Sequence, residues 1–343
     1  MQKTKNGWKQ KLLMLTVSCF FVAALLGIGE AYCRLFTRIN FLDNSRGLFQ
    51  YGRFGNTYGN TPNSEGISFG ETFYTDADGF RIDPEFRSNA AADAPAILIM
   101  GDSVAFGPAL KDDKTIAGNL RRSMPDKRIL NGAAIGYDTF DYKNAVTAIV
   151  EKHLEIKTVV LFFCLNDVSD ASAQLIRSKK LQQSDAGAAS TSIPRMVNDY
   201  LRSRSKLYLW LKNVLVDTQI NYFRNDLAYY ERGDENVSQA LQPILDLDRL
   251  LKPKGIELKV FISPYEAQLR RESPPEFFEP QRKITTFLSE NNVENYDVIT
   301  AINTRLPDTK LFFLYGDPMH LSVDGAKVLA NSACSKISGC EPQ

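Results

Sequence analysis

The sequence predicts a three-layer α/β domain on a flavodoxin-like parallel sheet, carried behind one N-terminal transmembrane helix. Two observations predict the sheet and one predicts the helix. From Pro95 onward, short apolar runs alternate with longer amphipathic segments, the pattern of parallel strands joined by crossover helices. The polar residues of chemical interest fall directly after those runs, where open α/β sheets hold their ligands. Near the start, residues 12–29 form an uncharged run of eighteen between Lys11 and Glu30, which is the length a bilayer requires.

Taken in order, the chain divides into a basic tip with anchor (1–33), an irregular extension (34–94) and a main domain (95–343). Lys3, Lys5, Lys9 and Lys11 precede the apolar run with no acidic residue among them, a bias that keeps the N-terminus cytoplasmic and exports the rest. The competing reading is a cleaved leader, with Gly27-Ile28-Gly29 at the cleavage position, although the run exceeds a usual leader core. Thr16-Val17-Ser18-Cys19 is only a loose lipobox, set inside the run. With the four N-terminal lysines set aside, 37 of the 41 basic residues face 40 acidic ones, which offers no surface for nucleic acid. Cys334 and Cys340 lie close enough to close a loop in an oxidising compartment, a pairing that sequence leaves open. Cys19 and Cys33 read as small apolar residues.

The extension is rich in Gly, Asn and aromatics without helical period, and reads as short strands and turns. Asp76-Ala77-Asp78-Gly79 is a turn leading to Arg81, whose expected role is a structural salt bridge rather than a groove lining. In the main domain, strands are expected at 96–100, 128–130, 158–163, 257–262 and 310–314. Helices are expected at 114–124, 140–154, 237–251, 280–289 and 323–335. A helical insertion at about 171–235 separates the third and fourth strands, with a polar, small-residue stretch at 178–192. Within it Met196, Val197, Tyr200, Leu201, Leu207, Tyr208, Leu211, Val214 and Leu215 are spaced for one helix face. Such a stripe ordinarily faces the core, the alternatives being a lid or a membrane-touching surface. Arg202, Arg204 and Lys206 read as its solvated side.

The first strand ends in Gly101-Asp102-Ser103, which puts Ser103 where a nucleophile stands, and a serine hydroxyl needs a base. Only two histidines are available. His153 ends an amphipathic segment among charges and reads as a solvated surface residue. His320, in Asp317-Pro318-Met319-His320, follows the last expected strand and is the candidate base, with Asp317 three residues earlier to orient the ring. Two further strand ends supply donors for an oxyanion: Gly136 through its backbone N–H and Asn166 through its amide. No Cys/His cluster, P-loop or dinucleotide fingerprint occurs, so neither a metal nor a cofactor is expected.

These four segments, in this order and at these strand ends, resemble the four blocks of the SGNH (GDSL-type) hydrolase superfamily, over roughly residues 96–330. The resemblance implies a membrane-anchored serine hydrolase. Ser103 would be the nucleophile and also give its N–H to the oxyanion hole, beside Gly136 and Asn166. Asp317 and His320 would close the triad, and Asp102 and Asp167 would brace their loops. One departure is Cys164, where the family commonly has glycine two residues before the block Asn; it reads as a buried, inert thiol. The expected function is hydrolysis of a small acyl ester, O-acetyl on an envelope or extracellular glycan. The alternatives are O-acyl transfer to a glycan by the same triad, or a non-catalytic envelope protein that binds glycan.

Overall fold

The computed structural model describes residues 4–41, 48–86, 90–91, 94–168, 193–299, 302 and 309–342. Helix α1 (Thr4–Phe36) contains the apolar run, and its Gly7–Phe36 portion is long and apolar enough to cross a membrane. A two-stranded antiparallel hairpin follows, β1 (Phe49–Phe54) with β2 (Thr57–Asn60). Three short strands, β3 (Glu65–Ser68), β4 (Glu71–Thr75) and β5 (Arg81–Ile82), then pair antiparallel and join the main sheet where Arg81 meets Asn131.

The main sheet is built from β6 (Ala96–Gly101), β7 (Arg128–Asn131), β8 (Ile156–Phe163), β9 (Glu257–Ile262) and β10 (Glu294–Asp297), all parallel. The eight-stranded order is β10-β9-β8-β6-β7-β5-β4-β3. Numbered by their own sequence, the five parallel strands run 2-1-3-4-5, the flavodoxin-like order, and the direction of winding reverses between β6 and β8. β6 along its length and β8 from Val159 to Phe163 are apolar and buried on both faces, as strands in the middle of a helix-covered sheet must be.

The helices are α2 (Ser103–Phe106), α3 (Ile116–Ser123), α4 (Thr139–Lys152), α5 (Ile193–Arg204), α6 (Lys206–Leu215), α7 (Thr218–Tyr230), α8 (Asp234–Leu251), α9 (Glu279–Glu290) and α10 (Val323–Cys334). Helix α3 packs with α10, and α4 with α8, giving the outer layers. Arg81 is wholly buried, donates to the carbonyls of Phe106, Gly107 and Leu110, and lies 3.7 Å from Asp112. Burial pulls its pKa down to about 10 although the Asp112 charge opposes the shift. It is a structural ion pair. A disulfide joins Cys334 to Cys340.

Three expectations are corrected. The fifth parallel strand is β10, whereas 310–314 is a 3₁₀ turn (Thr309–Phe312) followed by a lone bridge from Phe313 to Leu321. An edge strand is covered on fewer sides, so Glu-Asn-Tyr-Asp carries no apolar run, while Phe312 and Phe313 are buried by packing rather than by pairing. The stripe in the insertion is not core: Tyr200 is 62% exposed and Leu215 79%, and only Leu209, outside the stripe, is fully enclosed on α6. His153 is not solvated. Its side chain is 12% exposed, packed on Phe80, with Nδ1 3.2 Å from Glu155 and Nε2 3.5 Å from Asp78, at the amino end of β8 and away from Ser103. The stretch 178–192 lies outside the described residues.

Candidate active site

Strand β6 closes on Gly101, where a Cβ would stand 2.6 Å from Ala105 Cβ and from the Phe162 carbonyl, so only glycine lets the chain turn this tightly. Asp102 caps the short helix that follows, accepting from the Val104 N–H at 2.8 Å, and so presents Ser103 at the sheet's carboxyl edge. Burial raises the pKa of Asp102, against the opposing pull of that N–H and of His320. Its other oxygen lies 3.1 Å from Ser103 Oγ, so it competes with the closer His320 Nε2, at 2.9 Å, for the single hydroxyl proton.

His320, the candidate base, reaches the same edge without a strand to carry it. The Glu266 N–H, beyond the end of β9, donates to the Pro318 carbonyl at 2.8 Å, and Leu314 N–H donates to the His320 carbonyl at 2.8 Å. Asp317 Oδ1 accepts the backbone N–H groups of Met319 and His320 at 3.0 and 2.7 Å, which folds the loop on itself. Asp317 Oδ2 then lies 2.8 Å from His320 Nδ1, and His320 Nε2 lies 2.9 Å from Ser103 Oγ. With Asp317 accepting at Nδ1–H, the neutral ring leaves Nε2 free to accept from the serine. Burial opposes protonation of His320, but the charge and hydrogen bond of Asp317, with the charge of Asp102, outweigh it and lift the ring above the ordinary histidine value. Burial likewise disfavours charge on Asp317, yet His320 and the two N–H groups hold it below the usual carboxylate range.

The donor loops are held as tightly. Gly136 has φ +85°, a conformation that favours glycine, and lines the cleft beside Ser103. Tyr58, on β2, donates to the Ile135 carbonyl at 2.7 Å, while Tyr137 donates back to the Tyr58 carbonyl at 2.5 Å. Asp167 accepts from the Cys164 N–H at 2.6 Å and from the Tyr142 hydroxyl at 2.5 Å, and Tyr230 donates to the Leu165 carbonyl. These bonds fix the turn that places Asn166 in the lining of the cleft, where its buried Oδ1 has no hydrogen-bond partner among the described residues. Cys164 is wholly buried against Met319, and burial pushes its thiol far up, which suppresses the thiolate.

All seven candidate residues therefore meet around one cleft of ≈ 490 Å³ or directly behind it. Sequence reading missed Phe69, whose ring meets His320 edge-on at 5.1 Å and whose φ of +51° is unusual for a bulky residue. The pair Phe69-Gly70 between two strand-like runs was the available signal. It also missed Arg202 and Lys212, which line the cleft from α5 and α6. Burial, with the nearby Arg202 charge, lowers the pKa of Lys212. A larger cleft of ≈ 1170 Å³ adjoins, sharing Asn213, Tyr315 and Gly316.

No family model matches the sequence, and no curated protein matches it. Among solved structures, the chain is similar to a lipase/acylhydrolase from Enterococcus faecalis (15% identical, TM-score 0.41, over 73% of this chain and 98% of that one). It is also similar to a catalytic mutant of an acetylxylan esterase from Geobacillus stearothermophilus (14%, 0.42, 76% and 100%). A member of the lipolytic G-D-S-L family from Veillonella parvula is a third (10%, 0.40, 70% and 96%). Similarities this low stand as observations, and the chemistry rests on the geometry of the cleft.

Proposed function

We propose that this protein is a serine esterase of the SGNH type that removes a small acyl group, O-acetyl, from an envelope or extracellular glycan. The observation that carries the reading is the unbroken relay from Asp317 Oδ2 through His320 to Ser103 Oγ, at 2.8 and 2.9 Å, in a cleft. His320 Nε2 takes the Oγ proton as Ser103 attacks the acyl carbon, and Asp317 stabilises the imidazolium. The Ser103 and Gly136 N–H groups and the Asn166 amide receive the oxyanion. The imidazolium then protonates the leaving alkoxide, and water activated by the same nitrogen releases the acid from acyl-Ser103. Asp102 and Asp167 act behind this, fixing the turns that carry Ser103 and Asn166.

Helix α1 anchors the enzyme, with the cation bias placing the cleft outside the cytoplasm; the Cys334–Cys340 bridge fits an oxidising compartment. The adjoining cleft favours a substrate larger than a simple ester, and it also favours a second reading, in which a glycan hydroxyl bound there replaces water and the acyl group is transferred. The test is acetate release from acetylated oligosaccharide with and without free acceptor. Hydrolysis predicts an acetate yield unchanged by acceptor, and transfer predicts a fall matched by acylated acceptor. Release of acetate by Ser103→Ala at the wild-type rate overturns both.

A further inference from the structure

Helix α6 is built inside out for a helix in water. Leu209, Lys212 and Asn213 turn toward the catalytic cleft. The opposite side, by a 100° rotation per residue, is Trp210, Leu211, Val214 and Leu215, all exposed, with Val214 also rimming the adjoining cleft. On α5 Met196, Val197 and Tyr200 repeat the pattern, each at least half exposed. A surface helix ordinarily turns its apolar side inward, and an exposed apolar face rimmed by polar residues marks an interaction surface.

The end of α1 identifies what covers it. Glu30 accepts from Ser205 Oγ at 2.8 Å and from the N–H groups of Lys206 and Leu207 at 3.2 and 2.9 Å, so the last turn of the apolar run caps the first turn of α6. Arg34 donates to the Arg204 carbonyl at 2.7 Å, and Gly29 sits against Leu207, with a Cβ there only 3.1 Å from Leu207 Cδ2. A helix fastened this way to the exit point of a membrane-crossing segment lies at headgroup level. Its composition agrees: apolar and aromatic residues on one side, with Arg204 and Lys206 nearby to meet lipid phosphates.

We propose that the α5–α6 pair seats on the outer surface of the bilayer that α1 crosses. This rests on reading α1 as an anchor. Because α6 is also a wall of the cleft, docking holds Ser103 close above the headgroups, where esters carried by membrane-bound glycans or lipids are presented. The two tryptophans, Trp8 on α1 and Trp210 on α6, provide the test. The full chain is placed in nanodiscs of phosphatidylcholine and phosphatidylglycerol brominated near the top of the acyl chains. Trp8→Phe leaves Trp210 as the reporter, and Trp210→Phe leaves Trp8. Docking predicts loss of Trp210 emission in brominated lipid, together with shielding from aqueous acrylamide. If bromines quench Trp8 while acrylamide alone quenches Trp210, the anchor stands and the docking is wrong. Shielding of Trp210 from both quenchers shows a protein surface there, a second copy included, and overturns the proposal. Quenching of neither tryptophan by lipid overturns the anchor and the docking together.

Discussion

The two walls of the cleft are made in opposite ways. On the strand-end wall Asp102, Asp167 and Asp317 are buried, and each ties down the turn that carries a neighbouring residue of the site. On the helical wall the polar residues Arg202, Lys212 and Asn213 face the cleft and the apolar residues face away from the protein. The first wall is ordered by hydrogen bonds inside the fold, so its geometry is preorganised for charge that develops in a transition state. The second depends on what lies outside. Chemistry should therefore be sensitive to the first wall, and the choice and presentation of substrate to the second.

That contrast orders the expected effects. Removing the base with His320→Ala should cost on the order of a millionfold in kcat, no more than when combined with Ser103→Ala, because the two act as a unit. Next comes Asp317→Asn, expected to cost on the order of ten-thousandfold in kcat with the fold retained, as judged by an unchanged circular dichroism spectrum. It also shifts the pH profile. The general base must be neutral, and Asp317 outweighs burial to lift the His320 pKa, so wild-type kcat/KM should rise with a midpoint above the ordinary histidine value of about 6.5. Without that charge burial dominates, and the midpoint of the residual activity should move to lower pH. Asn166→Ala removes one oxyanion donor of three, about a hundred- to a thousandfold in kcat with little change in KM. Smallest is Tyr58→Phe, which deletes the bond to the Ile135 carbonyl that steadies the Gly136 turn; the loss of about 0.5–1.5 kcal/mol should appear as a fall of about two- to thirteenfold in kcat. A loss from Tyr58→Phe as large as from Asn166→Ala would show that the strand-end wall is not preorganised.

The strand-end wall was also the legible one. The runs that became β6 and β8 are continuous apolar segments, as a doubly covered strand requires, and Ser103 and Asn166 follow them directly. Strand β10 was hidden because an edge position asks little of its side chains, and the buried pair Phe312-Phe313 took its place in the reading. His153 looked solvated because its partner Phe80 and the carboxylate of Asp78 come from a distant turn. Tyr58 was out of reach for the same reason, and Phe69 had only the Phe69-Gly70 pair to mark a turn, since their contacts with Ile135 and His320 are set by tertiary packing. The stripe was read as one face of a single helix turned to the core; the chain instead breaks at Ser205 into α5 and α6 and leaves most of the stripe exposed, because periodicity marks a face and not what meets it.

The central claim is that Ser103 forms the covalent intermediate under the control of His320. Intact-mass spectrometry of the full chain, quenched in acid within milliseconds of mixing with a chromogenic acetyl ester, tests it directly. The account predicts a single acetyl adduct, mapped to Ser103 after proteolysis, absent in Ser103→Ala and strongly slowed in His320→Ala. An adduct on another residue, or ester turnover with no adduct and undiminished by Ser103→Ala, would contradict it.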